Sequence, residues 1–252
     1  MTPVISLCHS TARLPNGWIK AYQDWMRKAD KPWLIEYVLG VDEARLNELL
    51  FSRDTVPQVD KTKAILAVNV LRQCAVDGWN ATVRKSSAPL LFTVSDDWFP
   101  PEHWDTALLK AIPDLDGDYV VDVDNQDGSY PLLPFSILTR GYLNRLMQEY
   151  GYSGFFYREY FGMMADCEFT DLARQDRVVV DARYLKFTHV NPENDGQKAN
   201  AGTAEWDDVY RWQRRPEATQ RGKEVYVRRV QQLRIKKPGF VPLEVLRELA
   251  HA

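Results

Sequence analysis

Seven residues, Pro89-Leu90-Leu91-Phe92-Thr93-Val94-Ser95, constrain this chain more than any other stretch. The run is continuous, partly β-branched and apolar on both faces of an extended chain. That is the pattern of a central parallel strand covered on both sides. It stops at Asp96-Asp97-Trp98-Phe99-Pro100-Pro101, a turn by composition. A strand of this kind needs helices on both faces of its sheet, and the surrounding sequence supplies the alternation. Apolar runs at residues 4–8, 33–41, 64–70 and 119–123 read as further strands. Helical spacing, as in Trp18, Tyr22 and Trp25, predicts helices over about 17–29, 43–51, 72–85 and 102–112. The expected class is therefore α/β, with a mostly parallel central sheet and flanking helices.

The second half is less regular. Residues 135–139 read as a strand leading into a helix at about 140–150. Residues 150–161 are densely aromatic, either an acceptor platform, because aromatic faces pack on sugars and bases, or core filling. A short helix is expected at 168–175, strands at 177–182 and 184–189, and a polar loop at 191–202. Helices are expected at about 203–213, 217–234 and 242–250. A length of 252 residues suits one large domain or a domain with an appendage. The expected division is a catalytic domain over 1–195 and a helical C-terminal extension over 196–252.

Charge follows that division. Residues 1–195 carry 20 Lys+Arg against 28 Asp+Glu, a balance of −8, and residues 196–252 carry 12 against 7, a balance of +5. A basic segment on an acidic body suggests an anionic contact, nucleic acid included, or a helix packed on the acidic body. No apolar run reaches the ~20 residues of a membrane span, and no secretory leader is visible. Cys8, Cys74 and Cys167 are an odd, scattered set, read as reduced thiols of a cytoplasmic protein.

Several residues could carry chemistry. Asp96-Asp97 follows a buried strand, where open α/β sheets bind ligands. Paired carboxylates there suit Mg²⁺ or Mn²⁺ with substrate phosphates, or simply form a turn. Asp42, after the second strand, could hold a base or ribose, or cap a helix. Asp166-Cys167-Glu168 could supply a general base or another cap. His189 ends a strand, and His9 carries less weight still. The chain has no GxxxxGK[ST], no Gly-x-Gly-x-x-Gly after its first strand and no Gly-x-Ser-x-Gly. P-loop nucleotidases, Rossmann dehydrogenases and α/β-hydrolases are thereby disfavoured.

Taken in order over about residues 4–192, these segments resemble the family-2-like glycosyltransferases of the GT-A fold. Residues 4–13, from Val4-Ile5-Ser6 to Ala12-Arg13, look like the opening strand and nucleotide loop. Gly40-Val41-Asp42 looks like the strand with its nucleotide-binding acid, and Gly78-Trp79-Asn80 like the helix beside the donor. Ser95-Asp96-Asp97 is similar to the Asp-x-Asp motif, with Ser95 in place of the first acid. Asp166-Cys167-Glu168 resembles the catalytic-base motif, and Thr188-His189 the strand end that completes a metal site. The resemblance implies Asp166 as the base and Asp97 with His189 as ligands of Mn²⁺ or Mg²⁺. It implies Ser6, Arg13, Asp42, Asn80 and Asp96 around a nucleotide-sugar donor, with UDP as the expected nucleotide. Arg13 or Arg84-Lys85 would add positive charge.

The reaction so implied is a single inverting displacement. The acceptor hydroxyl belongs to a glycan, a lipid-linked sugar or a modified DNA base. In the last case the basic segment, with Arg228 and Arg229, would hold the nucleic acid. The alternatives are a metal-dependent nucleotidyltransferase and a non-catalytic nucleotide-sugar binding module of the same fold.

Overall fold

In the computed structural model the described residues are 2–11, 17–42, 64–69, 74–126, 132–133, 135–190 and 208–240. Two strands set the centre. β1 (Ile5–Ser10) is buried at all six positions and β4, the run Leu90–Val94, at all five. They pair in parallel. β2 (Ile35–Asp42) and β3 (Ala64–Asn69) continue the sheet on one side in the same direction. On the other side lie β7 (Ile137–Thr139), β6 (Val120–Asp124) and β8 (Val179–Lys186). The order is β3-β2-β1-β4-β7-β6-β8. Only β7 opposes the rest, being antiparallel to both β4 and β6. Two further short strands, β5 (Trp98–Phe99) and β9 (Thr188–His189), form an antiparallel ribbon beyond the end of β4.

Side chains alternate between the faces of the sheet, as the strand repeat of two requires. Ile5, Leu7, Leu90 and Phe92 face one layer, with Trp25, Trp98 and Trp104. Trp25 lies on α1 (Gly17–Arg27) and Trp104 begins α3 (Trp104–Ala111). Their indoles also bond across the layer: Trp25 donates to the Trp98 carbonyl and Trp104 to the Trp25 carbonyl, at 2.8 and 2.9 Å. Cys8 and Leu91 face the other layer, built from α2 (Ala75–Val83), α4 (Arg140–Glu149), α5 (Ala165–Gln175) and α7 (Pro216–Gln232). α6 (Asp208–Gln213) precedes α7. Each large side chain so buried contributes about 1.5–3 kcal/mol.

Two glycines permit close packing. A methyl group at Gly40 would lie 3.0 Å from the Gly78 carbonyl oxygen, so the missing atom lets α2 rest closely on β2. A methyl group at Gly222 would lie 2.5 Å from the Met163 carbonyl oxygen, which brings α7 against the loop before α5. The C-terminal segment is thus joined to the core: Val225, Tyr226, Val230 and Ile235 cluster with Tyr160, Phe169 and Leu172.

Two expectations are corrected. α5 begins at Ala165 rather than 168, because Met164 adopts a left-handed φ of 69° and turns the chain into the helix early. The strands expected at 177–182 and 184–189 are one bulged strand, β8, followed by β9. Of the two readings of the aromatic block, core filling is the one found: Tyr152, Phe155, Phe156 and Tyr160 are buried. The helices expected at 43–51 and 242–250, and the loop at 191–202, lie outside the described residues. No helix among the described residues is long and apolar enough to cross a membrane. Cys8, Cys74 and Cys167 are buried and in no disulfide, and burial pushes the Cys8 and Cys74 thiols up to about 12, so they stay protonated.

Candidate active site

The parallel strands β1, β2 and β4 all end at one edge of the sheet, and the chain collects polar residues there. Beyond β4, the Asp96 carboxylate accepts from His9 Nε2 at 3.0 Å and from the Thr11 hydroxyl at 2.8 Å. His9 is fully buried at the end of β1, and its Nδ1 meets the hydroxyl of Tyr37 on β2. Burial, with the Asp96 charge second, holds the Tyr37 phenol well above its ordinary value. The phenol therefore keeps its proton and donates to Nδ1, which leaves the Nε2 proton for Asp96. Sequence reasoning gave His9 little weight. Its position two residues before Thr11, at the end of a fully buried strand, was the available signal.

Asp97 is held differently. The Ser95 hydroxyl donates to its carboxylate, and the Asp97 carbonyl accepts from the Val190 N–H at 2.9 Å. That bond continues the β5–β9 ribbon, in which Trp98 stands opposite His189. The His189 N–H donates to the Asn125 carbonyl at 3.3 Å, and its ring meets the Phe135 ring edge-on at 5.0 Å. The two residues expected to hold a metal, 92 positions apart in the chain, are thus brought near each other in the backbone: Asp97 lies in the turn just before β5, bonded to Val190, and His189 lies on β9 opposite Trp98. Among the described residues no three His, Cys, Asp or Glu side chains converge on one point. A carboxylate oxygen and an imidazole nitrogen nevertheless fit a divalent ion such as Mn²⁺, with remaining positions for phosphate oxygens and water.

Asp166 lies in the first turn of α5, where its carboxylate accepts from the Cys167 N–H at 2.9 Å. Burial raises its carboxyl above the ordinary range, against the pull of that hydrogen bond and of the Arg214 charge. A carboxylate in such surroundings binds a proton more readily than an exposed one, which suits a general base. Two residues on, Glu168 is fully buried and differently employed. Tyr160 donates to it at 2.6 Å, and Arg229 of α7 reaches it through Nε and Nη2 at 3.1 and 2.9 Å. The same guanidinium lies 3.9 Å from the centre of the Tyr157 ring.

Other expected positions fall elsewhere. Ser6 lies near the start of β1, toward the opposite edge, where it donates to buried Glu36 and accepts from the Ala88 N–H at 3.1 Å. Glu36 also accepts from the Ser87 hydroxyl at 3.0 Å. Ser6 is therefore a packing residue remote from the carboxyl edge. Asn80 uses its whole amide on one loop: it donates to the Ser153 hydroxyl and the Phe156 carbonyl at 3.1 and 2.9 Å, and accepts from the Phe156 N–H at 3.0 Å. Its role is to clamp that loop, and it has no donor left for a nucleotide. Arg84-Lys85 follow α2 as the chain returns toward the start of β4, so their charge lies toward the wrong edge. Asp42 closes β2 at the carboxyl edge, level with Asn69. Arg13 lies outside the described residues. Of the two arginines expected to face an anion on α7, Arg229 is buried against Glu168 and Arg228 pairs with Glu159.

No protein-family pattern matches the chain, and no curated protein matches it. Solved structures do. TarS of S. aureus shares 14% identity and a TM-score of 0.55 over 76% of this chain, which spans only 37% of that longer one. The mannosyltransferase PcManGT from Pyrobaculum calidifontis, solved with GDP-Man and Mn²⁺, shares 11% identity and a TM-score of 0.56 over 100% of this chain and 80% of its own. TarS 1-349 in complex with UDP shares 14% identity and a TM-score of 0.51, over 96% of this chain and 76% of its own. The likeness is one of fold, and the fold is GT-A-like.

Proposed function

We propose that this chain is a metal-dependent, inverting glycosyltransferase that moves a sugar from a nucleotide-sugar donor to an acceptor hydroxyl. The observation that carries the reading is that the Asp97 turn and the strand end that carries His189 are backbone neighbours at the carboxyl edge. The β5–β9 ribbon brings the two segments together, and carboxylate with imidazole is a chemically sensible divalent-ion pair. The GT-A-like fold supports it, as does the mannosyltransferase neighbour solved with GDP-Man and Mn²⁺.

In this reading the nucleotide lies across the ends of β1, β2 and β4, with Asp42 and Asp96 beside it. Asp97 and His189 would hold the metal, which when bound would supply positive charge for the departing diphosphate. Asp96 is fixed by His9 and Thr11, so its charge is oriented before substrate arrives and costs no reorganisation later. Asp166 takes the proton from the acceptor oxygen as that oxygen attacks the anomeric carbon opposite the leaving group. One displacement with one base inverts the anomeric centre and needs no covalent sugar–enzyme bond.

The test is a donor panel. The protein with Mn²⁺ is offered UDP-, GDP- and other nucleotide sugars, and binding is read by thermal shift and donor hydrolysis by nucleotide release. Binding that requires the metal, with release of nucleoside diphosphate, is the expected result. No binding of any nucleotide sugar, or binding indifferent to chelator, would reject the proposal.

A further inference from the structure

The edge strand β8 carries surplus chain. Between the pairs Asp122–Asp181 and Asp124–Lys186, β6 advances two residues while β8 advances five. Three extra residues bow the edge, and Tyr184, within the bow, is 64% exposed. Bulges of this kind re-aim side chains, often next to functional sites. Beside it lies a cavity of about 650 Å³, lined by Asp122, Asp124, Asn125, Leu132, Arg183 and Tyr184, with Val123 and Asp181. That is the size of a small-ligand site.

The cavity wall is bonded to both parts of the candidate active site. On one side, the Asn125 carbonyl accepts from the His189 N–H at 3.3 Å and the Asp124 carbonyl from the Phe187 N–H at 2.7 Å. On the other, Leu132 is followed by Leu133, whose N–H donates to the Thr170 hydroxyl at 2.9 Å. That hydroxyl donates in turn to the Asp166 carbonyl at 2.7 Å. The cavity therefore lies between the strand that carries His189 and the helix that carries Asp166.

Its chemistry is specific. Three carboxylates, Asp122, Asp124 and Asp181, line it with one guanidinium, Arg183. Arg183 is tied to Asp181, Nε to Oδ1 at 2.9 Å, and lies 3.9 Å from Asp122. Burial holds the Asp122 carboxyl above its ordinary value, with the Arg183 charge opposing. The excess of acid repels phosphates and carboxylates, while carboxylate oxygens and the Asn125 side chain suit sugar hydroxyls. The exposed Tyr184 ring offers a flat face to a pyranose.

We propose that this cavity is the acceptor subsite and that it takes a neutral, hydroxyl-rich saccharide unit. The inference rests on the glycosyltransferase reading and narrows it, since an anionic polymer, DNA included, is a poor occupant of such a wall.

The test uses the full chain and saturation-transfer NMR. The probes are neutral disaccharides of glucose, galactose and N-acetylglucosamine, and the matching sugar 6-phosphates. Nucleotide-sugar binding with Mn²⁺ is measured on the same sample. At least one neutral disaccharide should bind, its 6-phosphate counterpart more weakly. Tyr184→Ala should weaken the neutral sugar roughly three- to tenfold, and Asp122→Asn should narrow the gap between the neutral sugar and the phosphate. Tyr184 is exposed, so its replacement leaves the fold intact, and thermal unfolding checks this. The proposal is overturned if no neutral sugar binds, if phosphates bind as well or better, or if both variants bind as wild type does. Nucleotide binding without sugar binding removes this inference alone, whereas loss of metal-dependent nucleotide binding removes the glycosyltransferase reading itself.

Discussion

The turn at Asp96-Asp97 and the interface between α5 and α7 both hold carboxylates, and they hold them by different means. At the turn, an imidazole and a hydroxyl donate to Asp96, and the Ser95 hydroxyl donates to Asp97. Such donors fix a carboxylate without cancelling its charge. At the interface, Arg229 meets Glu168 in a buried ion pair, and Tyr226 with the Gly239 N–H meets Asp171. Glu168 there is neutralised by an opposite charge and becomes part of the scaffold. Asp166 lies between the two regimes, two residues from Glu168, and the shift of its carboxyl is dominated by burial rather than by a cation. The partner a carboxylate is given, more than its distance from the cleft, separates chemistry from structure here.

The sharpest way to break this comparison is Asp97→Ala. If the turn is chemical, transfer falls by about three orders of magnitude or more, since several kcal/mol of leaving-group stabilisation are lost. Stability, read as the urea midpoint, should move by less than about 1 kcal/mol. A variant that unfolds early while retaining turnover would place Asp97 with the scaffold residues.

Asp166→Asn comes next. Loss of a general base costs about 10²–10⁴-fold in turnover, and donor binding should survive. The pH profile carries the sign. Asp166 must be ionised to accept a proton, so wild-type turnover rises with pH through its raised native value and falls below it. Stability moves the opposite way. The native state holds this proton more tightly than the unfolded chain does, so stability declines as pH rises from the unfolded to the native value. Above both values the ionised group is a constant cost, and Asp166→Asn should be as stable as wild type or more so at neutral pH. A turnover loss under tenfold at saturating acceptor, or an acid limb unchanged in the variant, would leave Asp166 a helix-start residue only.

Arg229→Met tests the interface. It strands the Glu168 charge in the core, and breaking a buried pair from one side costs about 3–5 kcal/mol. Adding Glu168→Gln removes that charge and should return most of the loss, because an uncompensated ion, rather than a missing contact, is what destabilises the single variant. If the double variant is no more stable than the single one by chemical denaturation, the pair acts through packing, the guanidinium on the Tyr157 ring included.

Much of this arrangement is legible in the sequence. The central strand, the helical layers and the order of the motifs followed from periodicity, because the apolar pattern at residues 90–94 admits one environment. That the turn at Asp97 and the strand end at His189 would be backbone neighbours is written in no local pattern, since none announces a β5–β9 ribbon of two residues a strand. Ser6 and Asn80 misled for one reason: a motif position says which element a residue is on, while its hydrogen-bond partners arrive from distant segments, Glu36 and Ala88 for one, Ser153 and Phe156 for the other. Arg229 misled because an amphipathic helix shows which positions are charged but not that one of them meets a buried acid 61 residues earlier.

The smallest effects lie behind Asp96, in the line from Tyr37 through His9. His9→Phe removes the donor to one carboxylate oxygen and the acceptor of the Tyr37 hydroxyl, leaving two buried polar groups short of a partner. A loss of about 1–3 kcal/mol in stability follows for such a group. Nucleotide affinity should weaken as well, by less than in Asp97→Ala, because Thr11 still holds the other oxygen of Asp96. Tyr37→Phe is milder. It deletes only the hydroxyl, keeps the edge-on contact with Tyr22 at 4.9 Å, and leaves the His9–Asp96 bond in place, so the cost should be that of one hydrogen bond, about 0.5–1.5 kcal/mol. What Tyr37→Phe does remove is the constraint on the imidazole tautomer: with no proton arriving at Nδ1, the ring is no longer compelled to keep its hydrogen on Nε2. The two variants therefore separate packing from polarity. Donor affinity that falls in His9→Phe but holds in Tyr37→Phe assigns the role to the His9–Asp96 bond. Equal falls assign it to the whole line. Unchanged donor affinity in both, measured by titration with Mn²⁺ present, would show that Asp96 needs no orientation and that this buried histidine serves the fold alone.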